Sequence, residues 1–481
     1  MSSIKRNYTY NLLYHILTTI LPLITAPYIS RVIGPDGVGL NSYVYAMVSY
    51  FMLFAILGLN NYGNREISRN RDDLITRSTK FWQIYFMQLG LSTIVFALYL
   101  VFCVYFLKDE YKLVGYLSSF YIVGAMIDIN WFFFGMEQFK TTVTRNTIIK
   151  LVTFVLTFVL VKNERDLWKY VLLLSFSYFS SEVVLWFFLK KHVVFIKPKW
   201  ADILSHIKPN LILFLPVLAI SIYEIMDKIM IGAISGHIQT GYYDYAYRII
   251  RMPGFIFSAL GTVMLPRISN LVAKKEYDSA NQFIRDSLQF SVILSSAMAF
   301  GMASIAERLI PIYYGPGYEP CIKLMQCLAP VLLFSSWKSI LRTQCLIPRG
   351  KDKSYIISVV MGAIINLIIN SLLIGRLGAI GAAIGTLASE FIVCIYQTIA
   401  TKDELPIKKY VLENWYWIVS GLCMFLTLKM TNKLFNDNIT GMLLMIICGA
   451  ITYVCYSSLL MLAFDCSRGR VLIGKLFRRK Q

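Results

Sequence analysis

Apolar runs of about 20 residues alternate with short clusters of charge, glycine and proline along the whole chain, and each run is long enough to cross a bilayer as a helix. A helix satisfies every backbone donor and acceptor within its own segment, and the runs lack the strict alternation of a half-buried strand. Breaking the sequence at its polar clusters predicts fourteen spans, near 11–30, 40–59, 81–107, 113–136, 146–161, 170–189, 209–233, 241–266, 287–306, 322–346, 355–375, 378–400, 414–431 and 440–463. The predicted fold class is an all-α membrane protein. The N-terminal MSSIKRNY leads into the first run without a small-residue cleavage site, so it reads as the start of a retained helix.

A repeat organises these spans. Shifting the sequence by 202 residues lays Gly34 on Gly236, Gly39 on Gly241, Tyr43 on Tyr245, Tyr45 on Tyr247 and Arg65 on Arg267. The shift corresponds to six spans, an even number, so both copies enter the membrane in the same direction. The expectation is two parallel six-helix lobes, at 1–190 and 209–400. The basic segment 191–208 joins them on the cytoplasmic side, and 401–481 supplies helices 13 and 14 and a basic cytoplasmic tail. Parallel repeats of this kind build transporters, with the binding site expected between the lobes.

Composition agrees with lipid as the solvent: 57% of the 481 residues are apolar and 15% charged, and the mean hydropathy is +0.59. The net charge of +20 does not point to nucleic acid, because the basic residues lie between apolar spans and not on one face of a soluble domain. Most cluster at alternate span ends, among them Arg65, Arg69, Arg71 and Arg77, the stretch Lys190 to Lys208, and the tail Arg468 to Lys480. The positive-inside bias therefore predicts a multi-pass protein of the cytoplasmic membrane with both termini in the cytoplasm, its basic loops beside anionic lipid. The nine cysteines show no metal-ligand spacing, and no phosphate-binding loop, dinucleotide fingerprint or catalytic triad stands in an interpretable context. No cofactor, metal or enzymatic activity is expected.

Charge at bilayer depth is costly and needs a partner or a wet cavity. The densest group lies in spans 7 and 8, where Glu224, Asp227 and Lys228 are followed by Asp244, Arg248 and Arg251 at i, i+4 and i+7 of one helix face. Asp227 and Lys228 either lock two helices together or serve a substrate. Arg248 and Arg251 present fork donors suited to phosphate, with Tyr243, Tyr245 and Tyr247 close by to meet a sugar; Tyr243 and Tyr247 are the candidates from that set. Arg31, ahead of the turn IGPDGVG, reads as a helix cap, a headgroup contact or a substrate contact. Asp128 and Asn130 in span 4, Glu182 in span 6 and Glu390 in span 12 are candidates to carry a coupling proton or to form structural hydrogen bonds. Lys338 and Arg342 read as snorkelling residues, and the GxxxG step of LGAIGAAIGTLASE as a close helix contact.

Taken in order, APYISRVIGPDGVG, YEIMDKIMIG, TGYYDYAYRIIRMP, GTVMLPRIS and LGAIGAAIGTLASE make the chain resemble, over nearly its whole length, the Wzx-type polysaccharide flippases of the multidrug/oligosaccharidyl-lipid/polysaccharide exporter superfamily. The resemblance implies two six-helix lobes around a cationic cavity. It also implies alternating-access transfer of an undecaprenyl-diphosphate-linked oligosaccharide to the outer leaflet, for capsule, exopolysaccharide or O-antigen assembly. Arg31, Asp227, Lys228, Tyr243 and Arg248 stand at positions matching the family pattern. The implied partners are the lipid-linked oligosaccharide, membrane lipids, and a polysaccharide polymerase and glycosyltransferases; nucleic acid is not among them. The nearest alternative is a cation-coupled multidrug exporter of the same superfamily, disfavoured because span 1 has no carboxylate and span 8 is rich in arginine. A membrane glycan polymerase is a further alternative, disfavoured by the short outside loops.

Overall fold

The structure, a computed structural model, describes the backbone of residues 2–464 and the side chains of 20–222 and 224–464; the basic tail Arg468 to Lys480 lies outside the described residues. Those residues are helical almost throughout, with no strand among them. Thirteen helical stretches are long and apolar enough to cross a membrane. The first of them, Ile20–Asn70, has 51 residues, about twice what one crossing needs at roughly 1.5 Å per residue. It is broken at Gly34 (φ 75°, ψ 174°), so it holds two crossings and the total is fourteen.

The chain packs as two compact units, Met1–Gly241 and Tyr242–Gln481. The first holds α1 (Ser2–Ile56), α2 (Leu59–Asn70), α3 (Leu74–Tyr105), α4 (Asp109–Met126), α5 (Asn130–Gly135), α6 (Phe139–Leu160), α7 (Leu167–Leu189), α8 (Trp200–Ser205) and α9 (Ile207–Ser235), and it closes with the start of α10 (His237–Arg251). Its apolar interior is aromatic: Phe81, Trp131, Phe132 and Phe133 are fully buried around Tyr62 and Leu185. The basic stretch after α7 is strapped to the start of α3, with Arg77 Nη2 donating to the His192 carbonyl at 2.8 Å, Trp82 Nε1 to the Val194 carbonyl at 2.9 Å, and Val194 N to Ser78 Oγ at 3.1 Å. Burial, together with the Arg77 and Lys191 charges, pushes the His192 imidazole below its usual range.

The second unit continues with α11 (Gly254–Ala273), α12 (Tyr277–Tyr314), α13 (Pro320–Leu328), α14 (Val331–Ile340), α15 (Asp352–Leu377), α16 (Ala379–Ala400), α17 (Ile407–Met430) and α18 (Ile439–Phe464). Its helices are built for lipid. On α15 the buried stripe is Ser358, Gly362, Ala363, Asn366 and Asn370, while Val360, Ile364, Ile368 and Leu372 face outward. On α18 Gly441, Met445, Gly449, Tyr453 and Ser457 recur every fourth residue inside, with Leu443, Ile447, Ile451 and Val454 exposed. Small and polar residues at helix contacts with aliphatic residues outside is the pattern of a protein solvated by hydrocarbon. The GxxxG step packs as its spacing predicts: a Cβ on Gly381 would come within 2.6 Å of the Leu373 backbone.

Three predicted spans are not single helices; span 10, expected over 322–346, is divided at Ala329–Pro330 between α13 and α14. Span 4 ends α4 at Met126 and restarts at Asn130, placing Asp128 on a non-helical link. Span 8, expected as one helix over 241–266, is interrupted at Met252–Pro253, because Pro253 has no backbone N–H to donate to the preceding turn. Each still reads as one span by its length, while Asp128, Pro253 and Pro330 mark where the helices divide.

Candidate functional site

Asp244, Arg248 and Arg251 all fall on α10, ahead of the Pro253 interruption, so the single face expected from their spacing is intact. Arg248 Nη2 donates to Asp244 Oδ2 at 2.9 Å, and its guanidinium lies 5.2 Å from the Tyr245 ring centre. Arg251, exposed at the end of the helix, sits 5.5 Å from the ring of Tyr247, which stacks on Tyr243 with centroids 5.5 Å apart. Both guanidiniums thus lie within cation–π range of a tyrosine ring of their own helix. Within the second unit the α10 tyrosines rest on further tyrosines: Tyr245 meets Tyr314 edge-on at 4.6 Å, Tyr314 Oη donates to the Tyr245 carbonyl at 3.0 Å, and Tyr318 completes the group. Tyr243 is buried with its hydroxyl 2.7 Å from Thr386 Oγ1, so it packs α10 on α16, whereas Tyr247 keeps a partly open face. Arg248 is the better exposed partner of its ion pair, with 37% of its side chain accessible against 10% for Asp244. What this face offers is two guanidiniums, one carboxylate and aromatic surface, a combination suited to phosphate and sugar.

The remaining candidates are dispersed. Arg31 is exposed near the end of the first segment of α1 and donates to the Pro27 carbonyl at 2.8 Å, as a residue closing a helix does. On α9 Glu224 is exposed and Asp227 buried, the latter near Tyr50, whose hydroxyl donates to the Ser221 carbonyl at 3.2 Å; the Lys228 carbonyl accepts from Thr240 Oγ1 at 3.3 Å. Glu390 is buried and bound to Lys338 Nζ at 2.7 Å, so Lys338 reaches into the helix packing and does not snorkel to the surface.

Asp128, Asn130 and Glu182 come together in the first unit with a residue the sequence pattern did not single out. Asn130 Nδ2 donates to Asp128 Oδ1 at 2.7 Å and to Glu182 Oε2 at 2.8 Å. Arg145 lies 3.5 Å from Glu182 Oε2, donates to Asn130 Oδ1 at 3.2 Å and to Asn146 Oδ1 at 2.7 Å, and also bonds the Ser181 carbonyl. Arg145 stands one residue ahead of predicted span 5 and so reads as a loop charge, yet α6 begins at Phe139 and buries it to 5% exposure. His237 was likewise unmarked. It opens α10 immediately after the break at Gly236, with Nε2 2.8 Å from Asp36 Oδ1 and Nδ1 2.9 Å from the Tyr111 hydroxyl.

Comparison with known proteins finds relatives across the length of the chain. A family model described as "Polysaccharide biosynthesis protein" matches residues 4–272, and one described as "Lipid II flippase MurJ" matches residues 152–449. A putative O-antigen transporter of Shigella dysenteriae is 26% identical over 410 residues, covering 83% of this chain and 100% of its own length. Among solved structures, the inward closed conformation of the lipid II flippase MurJ superposes with a TM-score of 0.74 at 17% identity, over 94% of this chain and 99% of that one. An inward-facing multidrug resistance MATE family transporter of the MOP superfamily gives a TM-score of 0.54 at 15% identity, over 86% and 96%. The fold is that of these transporters, and with a family model covering more than half of its length the chain belongs to the polysaccharide biosynthesis protein family, the Wzx-type flippases of the multidrug/oligosaccharidyl-lipid/polysaccharide exporter superfamily.

Proposed function

We propose that this multi-pass membrane protein moves a polyprenyl-diphosphate-linked oligosaccharide from the inner to the outer leaflet of the cytoplasmic membrane, and that the cationic face of α10 receives the diphosphate. The observation that carries this reading is the arrangement of Arg248 and Arg251 on that face, each over a tyrosine ring. A diphosphate and its sugars bring negative charge and hydroxyls that hydrocarbon does not solvate, while the polyprenyl tail remains in lipid throughout. Paired guanidiniums lower the crossing cost of the head by exchanging water for fork donors, and no covalent chemistry is needed. We infer an alternating-access cycle, fed by glycosyltransferases at the inner face and emptied by a polymerase at the outer one. The drug-exporter reading is disfavoured by the same arginines, which repel a cationic substrate.

The test is outward movement of a fluorescent undecaprenyl-diphosphate oligosaccharide in liposomes containing the purified protein, with a cationic dye as the control cargo. Movement of the sugar lipid by wild type that fails in Arg248→Ala and Arg251→Ala is the expected result. Dye export without sugar-lipid movement overturns it in favour of a drug exporter.

A further inference from the structure

The polar knot of the first unit has an unbalanced charge. Asp128 is 6% exposed, Arg145 5% and Glu182 2%, all within membrane-crossing segments. Asp128 lies seven residues before the end of Asp109–Gly135, Arg145 six after the start of Phe139–Leu160, and Glu182 seven before the end of Glu164–Leu189. All three therefore lie six or seven residues in from the ends of their segments. The two carboxyl groups are held together by the single amide nitrogen of Asn130, which donates to one at 2.7 Å and to the other at 2.8 Å. Two carboxylates so held, out of water, cannot both stay ionised unless cations match them.

The groups facing them are few. α6 supplies Arg145 and the neutral Asn146; α7 supplies Ser181, whose hydroxyl donates to Glu182 Oε1 at 3.1 Å, and the phenol of Tyr178. Tyr178 in turn has Tyr45 of α1 near it. α3 supplies Gln88, whose amide donates to the Asp128 and Ala125 carbonyls at 2.9 and 2.8 Å, and α5 supplies Asn130 and Trp131. Among the described residues the one cation facing the pair is therefore Arg145, against two carboxyls.

We propose that Asp128 and Glu182 form a proton-binding site holding one shared proton, with Arg145 balancing the remaining negative charge, and that loading and release of this proton accompany the transport cycle. The second part rests on the flippase reading given above; the first does not. The release mechanism is built into the backbone. Glu182 sits within continuous helix α7, whereas Asp128 sits on the non-helical link between α4 and α5, so bending at that link separates the carboxyls. Once apart, the acid loses its acceptor and gives the proton to water. When the link closes, a proton is taken from water as the carboxyls meet again.

Infrared difference spectroscopy of the purified protein, titrated through neutral pH, reads the first part directly through the C=O stretch of a protonated carboxyl. Wild type should show one such group that is lost as pH rises. Asp128→Asn and Glu182→Gln should each lack it, because an amide copies the protonated acid and leaves the other carboxylate matched by Arg145. Absence of the band in wild type, or its survival in both variants, overturns the site. The second part is read as sugar-lipid flux in liposomes with an imposed proton gradient. Wild-type flux should fall when a protonophore collapses the gradient, and flux in either amide variant should not respond. Wild-type flux indifferent to the gradient overturns the coupling role. A normal band with no sugar-lipid movement at all leaves the proton site standing and defeats the substrate reading instead.

Discussion

Among the charged residues, geometry separates those proposed to bind substrate from those that hold helices together. Arg248 stays partly accessible while paired with Asp244 and close to the Tyr245 ring, and a lysine at that position retains charge but not the fork. Arg248→Lys should slow sugar-lipid flux nearly as much as Arg248→Ala. A charge-assisted hydrogen bond is worth roughly 1.5–3 kcal/mol, which corresponds to about 10- to 100-fold in flux at limiting substrate. Recovery to near wild-type rates by lysine would show that only net charge matters there. Glu390 belongs to the other class. Its ion pair with Lys338 is buried between α14 and α16, and removing one partner of such a pair costs about 3–5 kcal/mol, whereas replacing both by apolar residues is often neutral. Glu390→Gln should lower the thermal unfolding midpoint in detergent and Lys338→Met with Glu390→Leu should restore it. A double variant as unstable as the single would argue that the pair does more than join two helices.

At the level of elements, the repeat seen in the sequence reappears as backbone. Gly34 and Gly236, paired by the shift of 202, both break their helices with positive φ, at 75° and 93°. Gly39 and Gly241, the next pair, lie against each other: a Cβ on Gly241 would come within 2.7 Å of the Gly39 Cα, and one on Gly39 within 2.4 Å of the His237 carbonyl. The beginning of α10 thus crosses the second segment of α1 backbone to backbone, pinned by His237 between Asp36 and Tyr111. Gly39→Val or Gly241→Val should destabilise the protein by about 1–3 kcal/mol through overpacking, with Gly90→Ala, where a Cβ meets nothing, as a silent control. Equal thermal stability of all three would refute the close crossing. Fourteen crossings and the glycine pairs were legible because hydrophobic length and positive φ are local demands that leave a residue signature. Arg145 was not: a single arginine at the edge of an apolar run looks like a loop charge, and only the placement of α6 against α7 turns it into the partner of Glu182. The interruption at Pro253 is marked by the proline itself, but the length of the run over 241–266 does not show it.

Across the whole molecule the distribution of charge argues for orientation. A net +20 on a chain with 47 Lys and Arg is tolerable in a membrane only if those charges collect where anionic headgroups and water meet them, and the basic stretch after α7 is fastened to the start of α3 at one such place. Crossings run alternately, so the face bearing Arg65 to Arg77 and Lys190 to Lys208 is the face the amino terminus shares, and it is also the nearer face for Asp128, Arg145 and Glu182. If that face is cytoplasmic, the proton site exchanges with the cytoplasm. Cysteine scanning decides this in intact cells. Lys197→Cys, on the basic strap, should react with a membrane-impermeant maleimide only after permeabilisation. Lys162→Cys, in the short link between α6 and α7, should react without it. The reverse pattern would invert the orientation, placing the carboxyl pair near the outside and requiring the proton to enter from there.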